Sequence, residues 1–440
     1  MWRALVELNP VAQRYYIETL GCPKNQVDSE KLAGKLNSDG LVSTDDPARA
    51  DVIVVNTCAF IEDARRESID MVLALEDQKK RGAKLVVTGC MAERYGTELA
   101  EALPEVDQVA GFGVPINLGK KRLSVSSDIP VFDLLNLPRP KSAVPWAYVK
   151  IAEGCDRNCG FCAIPSFRGP QKSRDVQSIL NEVQQLEVQE VVLVAQDLAS
   201  YGKDRPAELG AGSIVPLVQQ VSTLVKRTRL LYLYPSDLSD DLIETMLQTN
   251  VAYFDLSLQH VSKEHLRRMR RWGDGDRFLE RIKRIRFLEP RAAFRSNFIV
   301  GYPGETEENH DQLLRFIESA QLDWCGFFAY SPEEGTYAVN MADQVATGLM
   351  EERLAELREL QDRITAEAQD AMIGQTVQVL VDEPGIARSF REAPEIDGVI
   401  HVAETLPVGT FHSVGIVGAF GPDLVGAGSQ LEAEGTVNAC

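Results

Sequence analysis

Histidine is scarce in this 440-residue chain. There are five, His260, His265, His310, His401 and His412, and none lies in the first half. That removes the imidazoles that would complete a compact zinc finger around any cysteine upstream of them. Long apolar runs are missing too. No stretch reaches the ~18 residues of a membrane span, and the opening MWRALVELNPVAQRYY has no apolar segment of signal-peptide type. Positive charge is short: 46 Lys and Arg stand against 65 Asp and Glu, a net charge of −19. Such a surface repels phosphate backbones unless basic residues cluster locally, so it disfavours broad nucleic-acid binding and favours a basic protein partner. A cytoplasmic protein without a membrane segment is the expectation, and there thiols stay reduced.

Against these shortages stand eight cysteines, better read in that compartment as metal ligands than as a disulfide framework. Three of them, Cys155, Cys159 and Cys162, fall in EGCDRNCGFC at C-x-x-x-C-x-x-C spacing. So short a loop lets three thiolates converge on one soft metal centre while offering no fourth ligand. One coordination position is therefore open for something else. A structural zinc site needs four ligands and an iron–sulfur cluster with one open iron needs three. Both fit the spacing, and the distant histidines weigh against zinc.

Three more cysteines recur upstream. YYIETLGC, DVIVVNTC and KLVVTGC read as buried parallel strands that end in Cys22, Cys58 and Cys90. Helical patterns over 28–39 and 64–80 lie between them, giving an N-terminal α/β open parallel sheet over 15–125. The carboxyl ends of an open parallel sheet share one edge, where such folds hold ligands, so thiols far apart in sequence can meet there. Three small buried residues at similar positions are the plainer alternative.

Prolines 130, 138, 140 and 145 predict a semi-rigid connection with a boundary near Lys141. Over 141–372 six strand patterns, 147–154, 190–197, 229–235, 253–260, 294–304 and 323–331, alternate with helical ones at 173–186, 240–249, 275–288 and 307–320. This predicts a full or open (β/α) barrel with its active face at the strand carboxyl ends. Gln196, Asp197, Ser236, Gln259, His260 and Glu305 fall on that face, as capping residues or as the lining of a cavity. Gly301, Pro303 and Gly304 predict a tight turn. The arginine-rich run from His265 to Arg295 reads by default as a solvated helix face.

A helix over 351–372 precedes short strands at 375–382, 398–402, 412–420 and 423–426, which predict a small antiparallel barrel over 373–440. Nine acids (Asp382, Glu383, Glu392, Glu395, Asp397, Glu404, Asp423, Glu432, Glu434) stand there against Arg388 and Arg391, seven net negative. Such a module suits a basic protein better than RNA. Cys325 reads as a strand residue and Cys440 as a tail thiol.

The stretches LGCPKNQVDSE, VVNTCAFIEDA, VVTGC, EGCDRNCGFCAIPSFRG, AQDLASYG, LQHVS, FIVGYPGETEE and FAYSPEEGT together resemble the radical S-adenosylmethionine methylthiotransferases. LGCPKNQVDSE and RSFREAPEIDGVI resemble the RimO-type branch, which acts on ribosomal protein S twelve, more than the branch that acts on tRNA adenosine. The resemblance implies two [4Fe-4S] clusters and a TRAM-like C-terminal barrel. Cys155, Cys159 and Cys162 would hold the cluster that binds S-adenosylmethionine and generates a 5′-deoxyadenosyl radical. Cys22, Cys58 and Cys90 would hold an auxiliary cluster that carries the sulfur, methylated by a second S-adenosylmethionine. Gly301, Glu305, Gln196 and Gln259 would contact S-adenosylmethionine. The substrate would be the β-carbon of an aspartate in the ribosomal protein, free or within the small subunit, and an electron donor and a sulfur donor would be further partners. A tRNA adenosine methylthiotransferase, or an iron–sulfur scaffold or RNA-binding adaptor without catalysis, are the competing readings.

Overall fold

The computed structural model describes residues 12–112, 114–116, 133–205 and 213–433. Pro130, Glu434 and Cys440 lie outside these residues. The chain divides into two compact units, Met1–Pro140 and Lys141–Cys440. No helix among the described residues is long and apolar enough to cross a membrane.

In the first unit β1 (Arg14–Thr19), β2 (Val42–Ser43), β3 (Val52–Thr57), β4 (Lys84–Gly89) and β5 (Gln108–Ala110) form one parallel sheet in the order β2-β1-β3-β4-β5. Every residue of β3 is buried, as befits a central strand covered on both faces. Helices α1 (Pro23–Ser38), α2 (Glu62–Gln78) and α3 (Cys90–Ala102) make the connections. Register sets Thr19 beside Asn56, and Thr57 beside Gly89, so three carboxyl ends stand abreast. The strands stop short of all three predicted cysteine ends. Gly21 and Gly89, at φ of 93° and 91°, turn the chain out of the ladder. Cys22 becomes the N-cap of α1, Cys90 the first residue of α3, and Cys58 follows β3 directly.

The proline-rich connection is also not a free linker over 133–140. Lys31 Nζ donates to the Leu135 carbonyl at 2.5 Å and Arg139 pairs with Glu30 at 2.7 Å, fastening this stretch to α1.

In the second unit β6 (Trp146–Lys150), β9 (Glu190–Val194) and β10 (Arg227–Leu230) form one parallel sheet. Strands β11 (Tyr253–Gln259), β12 (Ala293–Val300) and β13 (Trp324–Ala329) form another. A single parallel bridge between Leu233 and Leu256 joins them. No pairing links β6 to β13 among the described residues, so the barrel is open. The predicted strand over 147–154 breaks at Ile151, after which β7 (Ala152–Glu153) pairs with β8 (Lys172–Ser173) instead. The cysteine loop hangs between these two short strands. Helices α4 (Ile164–Arg168), α5 (Val176–Leu186), α6 (Val215–Ser222), α7 (Asp240–Leu247), α8 (Lys263–Arg268), α9 (Gly275–Leu288) and α10 (Glu307–Ala320) alternate with the strands, and α11 (Thr347–Asp370) follows β13.

The C-terminal strands β14 (Thr376–Glu383), β15 (Ile386–Arg388), β16 (Ile400–His401), β17 (Phe411–Phe420) and β18 (Asp423–Gly426) close a barrel in the order β14-β15-β16-β18-β17. It differs from the predicted antiparallel barrel in one pair, β16 and β18, which run parallel. Residues 388–397 plug the amino-terminal part of the open barrel and meet all six of its strands. Tyr148 donates to the Pro394 carbonyl at 2.8 Å, Arg388 meets Glu190 at 3.3 Å, and Arg229 donates to the Phe390 carbonyl at 3.0 Å. Tyr253 donates to Asp397 at 2.6 Å, Arg295 pairs with Asp397 at 3.3 Å, and Trp324 Nε1 donates to the Arg391 carbonyl at 3.0 Å. The opposite, carboxyl end stays available for chemistry.

Candidate metal centres

At the strand edge of the first unit one residue ties the cysteine-bearing turns together. Asn25, fully buried in the first turn of α1, donates its amide to the Leu20 carbonyl at 2.9 Å and to the Thr57 carbonyl at 3.1 Å. Its side-chain oxygen faces Cys90 Sγ at 3.7 Å. The turn before Cys22, the residue before Cys58 and Cys90 itself thus share one side chain. A Cβ on Gly21 would lie 2.9 Å from Cys58 Cβ and 3.0 Å from its sulfur. The glycine lets those two turns touch. Ser68 holds Cys58 from the far side, accepting from its N–H at 3.1 Å and donating to its carbonyl at 3.2 Å. Asn25 was not legible in the sequence, where a polar residue in the first turn of a helix reads as a solvated one.

The second centre is built on Glu153. Its carboxylate accepts from Lys150 at 2.7 Å, from Arg168 at 2.8 Å and from Gln196 Nε2 at 2.6 Å. Burial pushes this carboxyl up, but Arg168 and Lys150 outweigh it and hold it down at about 2. The loop therefore leaves β7 on a fixed anionic post. Gly154 follows at φ 78°, and a Cβ there would come within 2.1 Å of the Pro170 carbonyl oxygen. Gly160 donates its N–H to the Met269 carbonyl at 2.8 Å and accepts from the Ala338 N–H at 2.8 Å. A Cβ on it would lie 2.5 Å from the Tyr302 hydroxyl. Small residues at 154 and 160 are thus steric requirements.

Burial raises the Cys155 thiol to about 11 and the Cys162 thiol to about 12. A bound metal cation would favour their thiolates. N–H donors already face the sulfurs: Arg157 N lies 3.4 Å from Cys155 Sγ, Arg271 Nη1 3.5 Å from Cys159 Sγ, and the Ile164 N–H faces Cys162. Three soft donors with N–H groups aimed at the sulfur fit an iron–sulfur cluster.

The remaining predicted residues scatter in role. Gln196 spends its amide on Glu153, and its carbonyl oxygen is buried without a partner. Asp197 anchors Arg157 at 2.6 Å, and Ser236 is exposed. Gln259 sits at φ 70° on a bulge ending β11. Gly301 stands at φ 81° with Met350 packed where a Cβ would go. Glu305 turns inward, accepting from the Gly301 N–H at 2.7 Å and from Arg353 at 3.0 Å. His260 is core, its ring 4.5 Å from that of His265. Their ligand-type atoms and one of Glu305 lie within 4.8 Å of one another. Arg353 already pairs with that carboxylate, and burial drives His265 down to about 4. The arginine run is part solvated, with Arg267, Arg270, Arg277, Arg284 and Arg291 exposed, and part tied down: Arg286 donates to the Ala320 carbonyl at 2.6 Å, Arg295 pairs with Asp255 at 3.3 Å, and Arg281 donates to the Leu238 carbonyl.

Residues 14–111 match the uncharacterized protein family UPF0004, 149–317 the radical SAM superfamily and 373–427 the TRAM domain. The ribosomal protein uS12 methylthiotransferase RimO of Streptomyces coelicolor is 39% identical over 94% of this chain and 97% of its own. The chain belongs to the RimO family. Two further RimO proteins agree: that of an Anaeromyxobacter species (strain K) is 41% identical over 94% of this chain and 93% of its own, and that of Moorella thermoacetica 40% identical over 91% and 96%. Membership in the RimO family makes this a radical S-adenosylmethionine methylthiotransferase, as LGCPKNQVDSE and EGCDRNCGFC implied.

Proposed function

We propose that this protein attaches a methylthio group to the β-carbon of an aspartate in ribosomal protein S twelve. The observation that carries the reading is that three cysteines follow the carboxyl ends of parallel strands in the first unit and three share the loop between β7 and β8 in the second. Cys155, Cys159 and Cys162 are assigned to the [4Fe-4S] cluster that takes S-adenosylmethionine, and Cys22, Cys58 and Cys90 to a second cluster. When bound, the two clusters supply the electron that cleaves S-adenosylmethionine and the sulfur that is transferred. An unactivated C–H bond is beyond side-chain acid–base chemistry, so the chain's own task is to hold, orient and keep water out.

Gln196, with its buried free carbonyl oxygen, Gln259 and the Gly301 turn are assigned to S-adenosylmethionine. Glu305 serves that turn indirectly, by fixing the Gly301 N–H. An electron donor and a sulfur donor are needed as separate partners.

For the substrate, charge favours a basic protein over tRNA. The side chains of Asp382, Glu392 and Asp397 are buried, Arg388 is buried on Asp382 at 2.5 Å, and Arg391, half-buried, pairs with Asp323 at 2.6 Å. What faces solvent is Glu383, Glu395, Glu404 and Glu432, with no exposed Lys or Arg among the described residues of this barrel. Ribosomal proteins are basic, which suits that face. The test offers the anaerobically reconstituted protein, S-adenosylmethionine and a reductant either ribosomal protein S twelve or unmodified tRNA. A methylthio group gained by the protein supports the assignment; one gained by tRNA alone overturns it.

A further inference from the structure

The short helix α8 ends in a turn aimed at the cysteine loop. Arg270 stands at φ 55°, a position where glycine is usual. Its N–H donates to the Arg267 carbonyl at 3.0 Å, and that of Arg271 to the Leu266 carbonyl at 2.8 Å. This pair of reverse bonds is the Schellman closure of a helix, and here it throws Arg271 back toward Cys159. The same helix end receives the Gly160 N–H on the Met269 carbonyl and the Tyr302 hydroxyl on the Arg268 carbonyl at 2.9 Å. Loop and helix end are therefore locked together.

The Arg271 guanidinium lies 4.1 Å from the centre of the Tyr234 ring and that of Arg157 3.9 Å from it. Both guanidinium groups thus make cation–π contacts with the one Tyr234 ring. The two cations differ in their surroundings. Arg157 is neutralised by Asp197 and Asp237. Arg271 has no carboxylate partner among the described residues. It donates to the Cys159 sulfur at 3.5 Å and to the Ser257 carbonyl, and its Nε is buried without a partner.

We infer that Arg271 is a positioning residue that sets the reduction potential of the cluster on Cys155, Cys159 and Cys162. Reduction adds one negative charge to that cluster. A fixed, uncompensated cation that also donates to a ligand sulfur stabilises the added electron and raises the potential. Arg157 cannot do this, because two carboxylates cancel its charge. Tyr234 keeps the Arg271 group from swinging into solvent. The inference rests on the cluster assignment made above.

The test is a potentiometric titration, followed by electron paramagnetic resonance, of the full-length chain carrying Cys22→Ala, Cys58→Ala and Cys90→Ala, so that one cluster is observed. Iron content is read alongside. Arg271→Gln is expected to keep the iron and lower the reduced-to-oxidised ratio at a fixed potential about tenfold, ~59 mV for a one-electron couple. Arg271→Lys, which keeps the charge, is expected to recover most of that shift. If Arg271→Gln fails to take up iron, Tyr234→Leu is measured in its place: a lowered potential supports the inference and an unchanged one overturns it. An unchanged potential in an iron-loaded Arg271→Gln protein overturns it, as does loss of iron from all three variants, which would make the stack merely structural. Absence of iron before any change at 271 or 234 would instead remove the cluster assignment itself.

Discussion

Arg388 of the C-terminal barrel and Glu190, the first residue of β9, meet at 3.3 Å with both side chains buried. Arg229 holds the other oxygen of the same carboxylate at 2.8 Å. This junction fastens the end barrel to the open barrel at the end away from the cysteine loop.

Burial alone would push the Glu190 carboxyl up, but Arg229, Arg388 and Arg227 outweigh it and hold it at about 2. A depressed carboxyl pKa contributes stability that is fully present above the unfolded value of ~4.3 and is lost as pH falls from there through about 2. The dock is therefore expected to loosen in that acid window, followed by fluorescence of Trp324, which donates to the Arg391 carbonyl. Glu190→Gln, which strands buried guanidinium groups, is expected to cost ~3–5 kcal/mol at neutral pH. An acid transition unaltered by that substitution would refute the assignment.

Asn25→Leu is expected to uncouple the cysteine turns of the first unit. It leaves the Leu20 and Thr57 carbonyls without the Asn25 amide, at ~1–3 kcal/mol for each group left unsatisfied. Iron per chain after reconstitution should fall to that held by the second unit alone. Retention of the full complement would show that the turns meet without Asn25.

Gly154→Ala sets a methyl group 2.1 Å from a backbone oxygen in a left-handed conformation. Backbone on both sides cannot yield cheaply, so loss of iron at Cys155, Cys159 and Cys162 is expected. Gly169→Ala, at φ 72° with open space around it, carries only backbone strain of ~1–3 kcal/mol. It should keep its iron. Equal iron in both variants would argue against the steric account.

Reversing exposed charge with Glu383→Lys and Glu404→Lys is expected to slow association with ribosomal protein S twelve several-fold at low salt and little at high salt. Turnover at saturating substrate should hold. Stopped-flow rates at two ionic strengths decide it, and salt-independent rates in both forms would contradict a role for this face.

The cysteines were legible because spacing and strand-end position survive in one dimension. A (β/α) barrel, full or open, was legible for the same reason: 294–304 and 323–331 carry apolar runs that no helix pattern explains. What the sequence hid were partnerships between distant residues. Asp397, Arg388 and Arg391 counted as surface charge, yet their partners sit at 295, 190 and 323. Only folding reveals them as a dock. Arg271 vanished into a basic run for the same reason, because its value depends on Cys159, 112 residues away. Glu305 was expected beside S-adenosylmethionine from its strand-end place, but its bond to Arg353, far along on α11, could not be read there.

The central claim is tested most directly by following one hydrogen atom. Ribosomal protein S twelve carrying β-deuterated aspartate is incubated with the reconstituted protein, S-adenosylmethionine and a reductant, and 5′-deoxyadenosine and the substrate peptide are both read by mass spectrometry. The account requires deuterium in 5′-deoxyadenosine and a methylthio group on that same aspartate. A methylthiolated product with no deuterium in 5′-deoxyadenosine, or 5′-deoxyadenosine formed while the aspartate stays unmodified, would contradict it.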